Sequence, residues 1–347
     1  MQPSSDSSDG PLRKRPRIDD SGDEAGSAAT ETTQNTRKRD DEFWFEDGNV
    51  ILVAHDVEFR IYRGILADHS PFFRDMFSLP QPPDHEPPEA DSATCPLVHL
   101  ADSPEDVRCI LRVYIPRDDS SPFAPDSPSF DFISACIRLG HKYQMAKLLD
   151  HSVAYLKTWY PTDMASWQKQ YSDRENHTSP GFDHAHAIGV VNLARLTGES
   201  SILPTALLDC CLLEEEVLDG FDRADGTHEE LAPTDLRLCL KTRIGLAAAR
   251  VSIFARAYRA DVSKGCADPA SCRAALRKAL ALIYDLALEL SATDPFKPLS
   301  SLDDSHGISL CPLCFSAAME RGKEEQKGFW NALAEAFEIE VEGWGRP

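Results

Sequence analysis

Apolar and polar positions along the chain fall into three regimes. Up to about residue 42 there is no hydrophobic period, and Ser, Asp, Glu, Thr, Lys and Arg dominate. Such a segment cannot bury enough apolar surface to offset its chain entropy, so residues 1–42 read as a disordered tail. From Phe43 the pattern turns strand-like. In FWFEDGNVILVAHDVEFRIYRGIL, the pieces VILVA and VEFRIY read as paired strands, with a turn at Asp47-Gly48 before the first and His55-Asp56 at their connection. Helical spacing takes over in RGILADHSPFFRDMF, where Ser70 stands as an N-cap directly before Pro71 and two short helices meet.

PLVHL reads as a third strand. Ser103-Pro104-Glu105-Asp106 then opens a helix with a capping box and with Val107, Ile110, Leu111 and Tyr114 on one face. Two proline-rich excursions, from Pro80 to about Ala93 and over RDDSSPFAPDSPS, interrupt this region. It closes with two helices in FDFISACIRLGHKYQMAKLLDHSVAYLKTWYP, ending before Pro161. Beyond Pro161 strand signals nearly vanish. Residues 184–197, 202–218, 234–260 and 269–290 carry helical periodicity, and in the third of these Leu236, Leu240, Ile244, Ala247, Val251, Phe254 and Tyr258 form a stripe expected to face the core. The fold expected is an α+β domain over 43–160, a short mixed sheet flanked by helices, followed by an all-α domain over 161–347.

Composition agrees with two cores plus a tail: 347 residues, 42% of them hydrophobic. A formal charge of −21 argues against a general phosphate-binding surface, because the basic residues cluster only near the start. There the runs Arg13-Lys14-Arg15-Pro16-Arg17 and Arg37-Lys38-Arg39 have the form of a nuclear import signal, the first being the closer match, beside the alternative of a solvated, charge-balanced tail. The expected location is nucleus, cytoplasm or both. No signal-peptide core or membrane span is legible, and the ten cysteines read as reduced intracellular thiols, with Cys210 and Cys211 as core filling.

Catalytic signatures are lacking. There is no Gly-rich phosphate loop, Gly-x-Ser-x-Gly elbow or kinase signature, and His228-Glu229-Glu230 lacks the second histidine of a metalloprotease because residue 232 is Ala. The chain therefore reads as non-enzymatic, with no cofactor needed for chemistry. His184 and His186 point apart on a helix and read as solvent-facing or capping.

One metal-like constellation stands out. Cys311-x2-Cys314 has the spacing that lets two thiolates reach one tetrahedral ion, and Cys266-x5-Cys272 offers two more, for a closed structural zinc site with His306 as a possible substitute. The looser first pair favours the competing reading of reduced, partly buried thiols.

FRIYRGILADHSPFFRDMF, through Leu66, Ala67, Ser70, Phe73, Met76 and Phe77, resembles the signature of BTB/POZ domains, with Tyr62 standing where that family commonly has His. VHLADSPEDVRCILRVYIP resembles the family's third strand and following helix, and FISACIRLGHKYQMAKLLDHSVAYL its closing helices, so the resemblance covers about 43–160. RGKEEQKGFWNALAEAFEIEVEGW is similar to the C-terminal segment of a set of BTB proteins from mushroom-type (basidiomycete) fungi. The resemblance implies homo- or hetero-dimerisation and docking of other proteins, either as substrate adaptor for a cullin-type ubiquitin ligase or as a nuclear regulator that recruits corepressors without touching DNA. Phe72 is the aromatic expected to stay exposed. The two proline-rich excursions fall where the family builds its dimer and cullin surfaces.

Overall fold

The computed structural model describes residues 37–79, 95–116, 128–175, 181–285, 294–299 and 307–345. Both proline-rich excursions, the import-like residues Arg13, Lys14, Arg15 and Arg17, and His306 lie outside the described residues, apart from the end of the second excursion at Pro128-Ser129.

Four strands form one mixed sheet. They are β1 (Lys38–Trp44), β2 (Val50–Ala54), β3 (Val57–Ile61) and β4 (Leu97–Leu100), in the order β1-β3-β2-β4. VILVA and VEFRI are antiparallel partners with Ala54 opposite Val57, and His55, at φ 50°, makes the tight connection. β4 joins parallel to β2, and β1 joins parallel to β3. Val50, Leu52 and Ala54 point with Phe59 and Ile61 into one core, which Leu66, Phe73, Val107, Ile110, Leu111, Cys136, Leu139 and Leu148 complete from the helices.

Strand β1 departs from the sequence reading. Residues 38–42 belong to the sheet and not to the tail, because their charges are used locally. Asp40, almost fully buried, accepts the backbone N–H groups of Glu42 and Phe43 and pairs with Arg108 at 2.7 Å, while Glu42 takes Arg112. A polar run that hydropathy assigns to solvent is thereby tied to the helix that carries Arg108 and Arg112.

Helices α1 (Arg63–His69) and α2 (Pro71–Ser78) form a hairpin, and α3 spans Pro104–Tyr114, α4 Phe130–Lys142 and α5 Ala146–Trp159. Ser103 caps α3 by accepting the Asp106 N–H at 3.1 Å, and its buried face carries Val107, Ile110 and Leu111. α4 is buried on two sides, with His141 and Lys142 exposed at its end. Cys136 and Leu139 face the sheet core, and Phe130, Ile133 and Ile137 face the helical half.

That half contains α6 (Met164–Glu175), α7 (His186–Thr197), α8 (Leu203–Leu212), α9 (Pro233–Ala257), α10 (Pro269–Asp285), α11 (Pro312–Asn331) and α12 (Leu333–Ala336). A two-residue hairpin, β5 (Phe221–Asp222) with β6 (His228–Glu229), is its sole sheet among the described residues. A large core joins Phe130, Ile133, Ile137, Leu156 and Tyr160 to Trp167, the apolar residues of α7 and α8, and Trp330, Leu333, Phe337 and Trp344 near the C-terminal end. α7 and α4 approach closely enough that a Cβ on Gly189 would lie 2.5 Å from the Phe130 ring. Residues 37–347 form one compact unit.

The α9 stripe read off the sequence holds at its C-terminal end, where Phe254 and Tyr258 are fully buried, and is displaced before it. Leu240 and Ile244 are exposed, Ile244 by 76%, whereas Cys239, Thr242, Leu246, Arg250, Ile253 and Ala257 are buried. The polar members of that face are hydrogen-bonded: Thr242 donates to the Ala336 carbonyl, and Arg250 to that of Lys297 at 2.5 Å. With Thr242 and one end of the Arg250 guanidinium bonded, though Arg250 Nε is buried without a partner among the described residues, α11 and α12 cover this face and part of the more hydrophobic stripe is left to solvent.

Candidate functional site

The signature residues assemble around the α1–α2 hairpin. Ser70, fully buried, is its hub: its Oγ accepts the Phe73 N–H at 3.0 Å to cap α2 and donates to the Tyr143 carbonyl at 2.5 Å, tying the hairpin to the end of α4. Leu66 and Phe73 are buried, Phe73 lying 4.6 Å from the Tyr143 ring, with Met76 and Phe77 packed partly against the same core. The Ala67 carbonyl accepts Arg74 Nε at 3.1 Å. Tyr62 donates its hydroxyl to Asp47, so it fastens the β1–β2 turn to the start of α1, and that bond together with its nearby charge raises the phenol above its ordinary range. Leu66, Phe73, Met76 and Phe77 therefore hold the hairpin against the sheet core, and Ser70 holds it to the end of α4. Phe72 is the aromatic side chain of α2 that faces out, 41% exposed, its ring edge-on to Phe73 and tilted against Tyr143.

The four cysteines, from two stretches 39 residues apart in sequence, meet in one place. Their Sγ atoms lie within 4.8 Å of one another, with Cys272 and Cys314 buried and Cys266 and Cys311 half-buried. Cys266 sits in the loop after α9, Cys272 in the first turn of α10, Cys311 at the N-cap of α11 and Cys314 in its first turn. Asp268-Pro269 and Cys311-Pro312 start the two helices in the same way, with proline at the first helical position.

Backbone N–H groups face this cluster. Ser263 donates to Cys314 Sγ at 3.4 Å and Cys311 donates to Cys272 Sγ at 3.5 Å. Burial pushes the Cys266 thiol up to about 12, against the pull of the Asp268 N–H, while the Cys314 N–H is the main influence holding Cys311 down to about 7. Of the residues carrying these N–H groups, Cys311 and Cys314 are legible from sequence as ligands, whereas Ser263, in the loop after α9, carries no local signal.

Among the described residues no histidine joins them. His186 lies stacked on Phe130 at 4.5 Å, its Nδ1 accepting the Asp183 N–H, and burial lowers it. His184 rests on Tyr171 and His228 pairs with Asp222. Cys210 and Cys211 are buried in the large core beside Cys239.

A small mixed sheet flanked by helices and continued by a helical region defines an α+β architecture with an all-α extension. Residues 44–159 match the model of the BTB/POZ domain, so the described chain is an N-terminal BTB/POZ domain followed by a helical region. No curated protein and no solved structure matches the chain. Among the described residues no helix is long and apolar enough to cross a membrane.

Proposed function

We propose that the chain is a protein-interaction scaffold that self-associates through its BTB/POZ domain and docks a further protein, as a substrate adaptor for a cullin-type ubiquitin ligase does. The observation that carries this reading is the BTB/POZ match over 44–159, since such domains mediate protein–protein interaction and dimerisation. In an adaptor, the helical half is the natural place for the second partner. Light scattering on the full-length protein after size exclusion is expected to give twice the chain mass, unchanged on dilution over the micromolar range. A monomer at every concentration, with no cullin bound in a pull-down with purified cullin, would sink the proposal.

A second reading follows from the basic run Arg13-Lys14-Arg15-Pro16-Arg17: a nuclear regulator that recruits corepressors, the acidity of the chain disfavouring direct DNA contact. A fluorescent full-length fusion is expected to concentrate in the nucleus and to redistribute to the cytoplasm when Lys14 and Arg15 are both changed to Ala. Cytoplasmic fluorescence of both forms removes this reading. The assignment to mushroom-type fungal BTB proteins rests on the resemblance of the C-terminal segment and is proposed on that ground alone.

A further inference from the structure

The geometry points to a structural zinc ion held by Cys266, Cys272, Cys311 and Cys314, which clamps the loop after α9 to the N-termini of α10 and α11. Four thiolates at about 2.3 Å from one tetrahedral ion lie about 3.8 Å apart. The Cys266 and Cys311 sulfurs are 3.7 Å apart, and all four fall within 4.8 Å of one another. A disulfide needs a separation near 2.05 Å, and all ten cysteines are free thiols. A multi-iron cluster distributes its cysteines over different metal atoms and spreads them more widely than a single ion does.

The surroundings suit a thiolate set as well. Loading converts four thiols and one Zn2+ into a tetrathiolate centre of net charge −2 and releases four protons, so the site must stabilise negative charge. Two helix N-termini converge on it, and the N–H groups of Ser263 and Cys311 donate to its sulfurs. All four coordination positions are filled by sulfur, which leaves none for water or substrate. The role is therefore mechanical and distinct from catalysis.

The fold also explains why a staple belongs here. α10 packs through Leu276 and Ala279 on Ile253, Phe254, Ala257 and Tyr258, with Leu299 and Ala318, in the smallest of the three cores among the described residues. A core this size adds little cohesion, and a metal that binds only the folded arrangement adds its binding free energy to folding.

Full-length protein produced without added metal and purified under reducing conditions is expected to carry one equivalent of zinc by elemental analysis. A mercurial thiol reagent should release it, as read by a chromogenic zinc indicator. Replacement by Co2+ should give the thiolate-to-metal charge-transfer bands and the intense visible bands of a tetrahedral sulfur site. Cys311→Ser should reduce the bound zinc to below about a tenth of the wild-type amount, while Cys109→Ser, on α3, should leave it unchanged.

If Cys311→Ser fails to fold, the stoichiometry and Co2+ spectrum of the wild-type chain decide the matter without it. Reduced wild-type protein that carries no zinc and takes up neither Zn2+ nor Co2+ overturns the proposal. So does iron in place of zinc, or a mass four daltons low that reveals two disulfides in the untreated protein.

Discussion

Phe130→Ala is expected to destabilise the whole described unit by about 3–5 kcal/mol, the usual cost of deleting a fully buried phenyl ring. The ring is buried completely, stacks on His186 at 4.5 Å and meets Phe221 and Phe182 edge-on at 5.6 and 5.8 Å. It also fills the space that Gly189 leaves open on α7. Removing it opens a cavity where the BTB/POZ domain meets the helical half, and neither α4 nor α7 can collapse into it without disturbing its other contacts. For a chain of this size the loss translates into a fall in Tm on the order of 10 °C. Scanning calorimetry is the check, and a shift below about 2 °C would mean that the two halves do not share this core.

The second large effect belongs to Ser70. Its hydroxyl caps α2 and simultaneously satisfies the Tyr143 carbonyl, both in a fully buried setting. Ser70→Ala removes the cap and takes from a buried carbonyl the hydroxyl that serves it, for a combined cost of about 2–3 kcal/mol. Ser78, whose hydroxyl also donates to a backbone carbonyl, is exposed on the same helix, so Ser78→Ala should change stability by less than about 0.5 kcal/mol. Urea titrations of the two variants make the comparison. Equal midpoints would show that burial of the Ser70 bonds contributes nothing.

These two residues differ in how visible they are from sequence. Ser70 is legible because N-cap chemistry is local: a serine before a proline at a helix start announces its own role. The importance of Phe130 is not legible, because an apolar residue at the head of an amphipathic helix looks the same whether it faces its own domain or another. β2, β3 and the capped helices of the BTB/POZ domain were readable for the first reason. Strand β1 is not, since its pairing with β3 and the partners of its charges, Arg108 and Arg112 some 70 positions away, are both remote in sequence.

The buried face of α9 was misjudged for a related reason. Hydropathy ranks Ile244 above Thr242 and Arg250, yet carbonyl partners at Ala336 and Lys297 make the polar pair the better-buried one. Cysteine spacing sits between these cases. It marks Cys311 and Cys314 as neighbours, but nothing local says that Cys266 and Cys272 come to the same point, because that meeting is decided by how α9, α10 and α11 pack.

The large core has a consequence for synthesis. Trp330, Leu333, Phe337 and Trp344 pack into the same cluster as Phe130 and Ile133, so residues made nearly two hundred codons apart must be present together before the core can close. The sheet of the BTB/POZ domain can form early on the ribosome, yet the outward faces of α4 and α5 stay uncovered until the last helices emerge. A nascent chain in that interval exposes a stripe of Phe, Ile, Leu and Tyr to solvent, and its survival depends on how promptly α11 and α12 follow or on what shields it meanwhile.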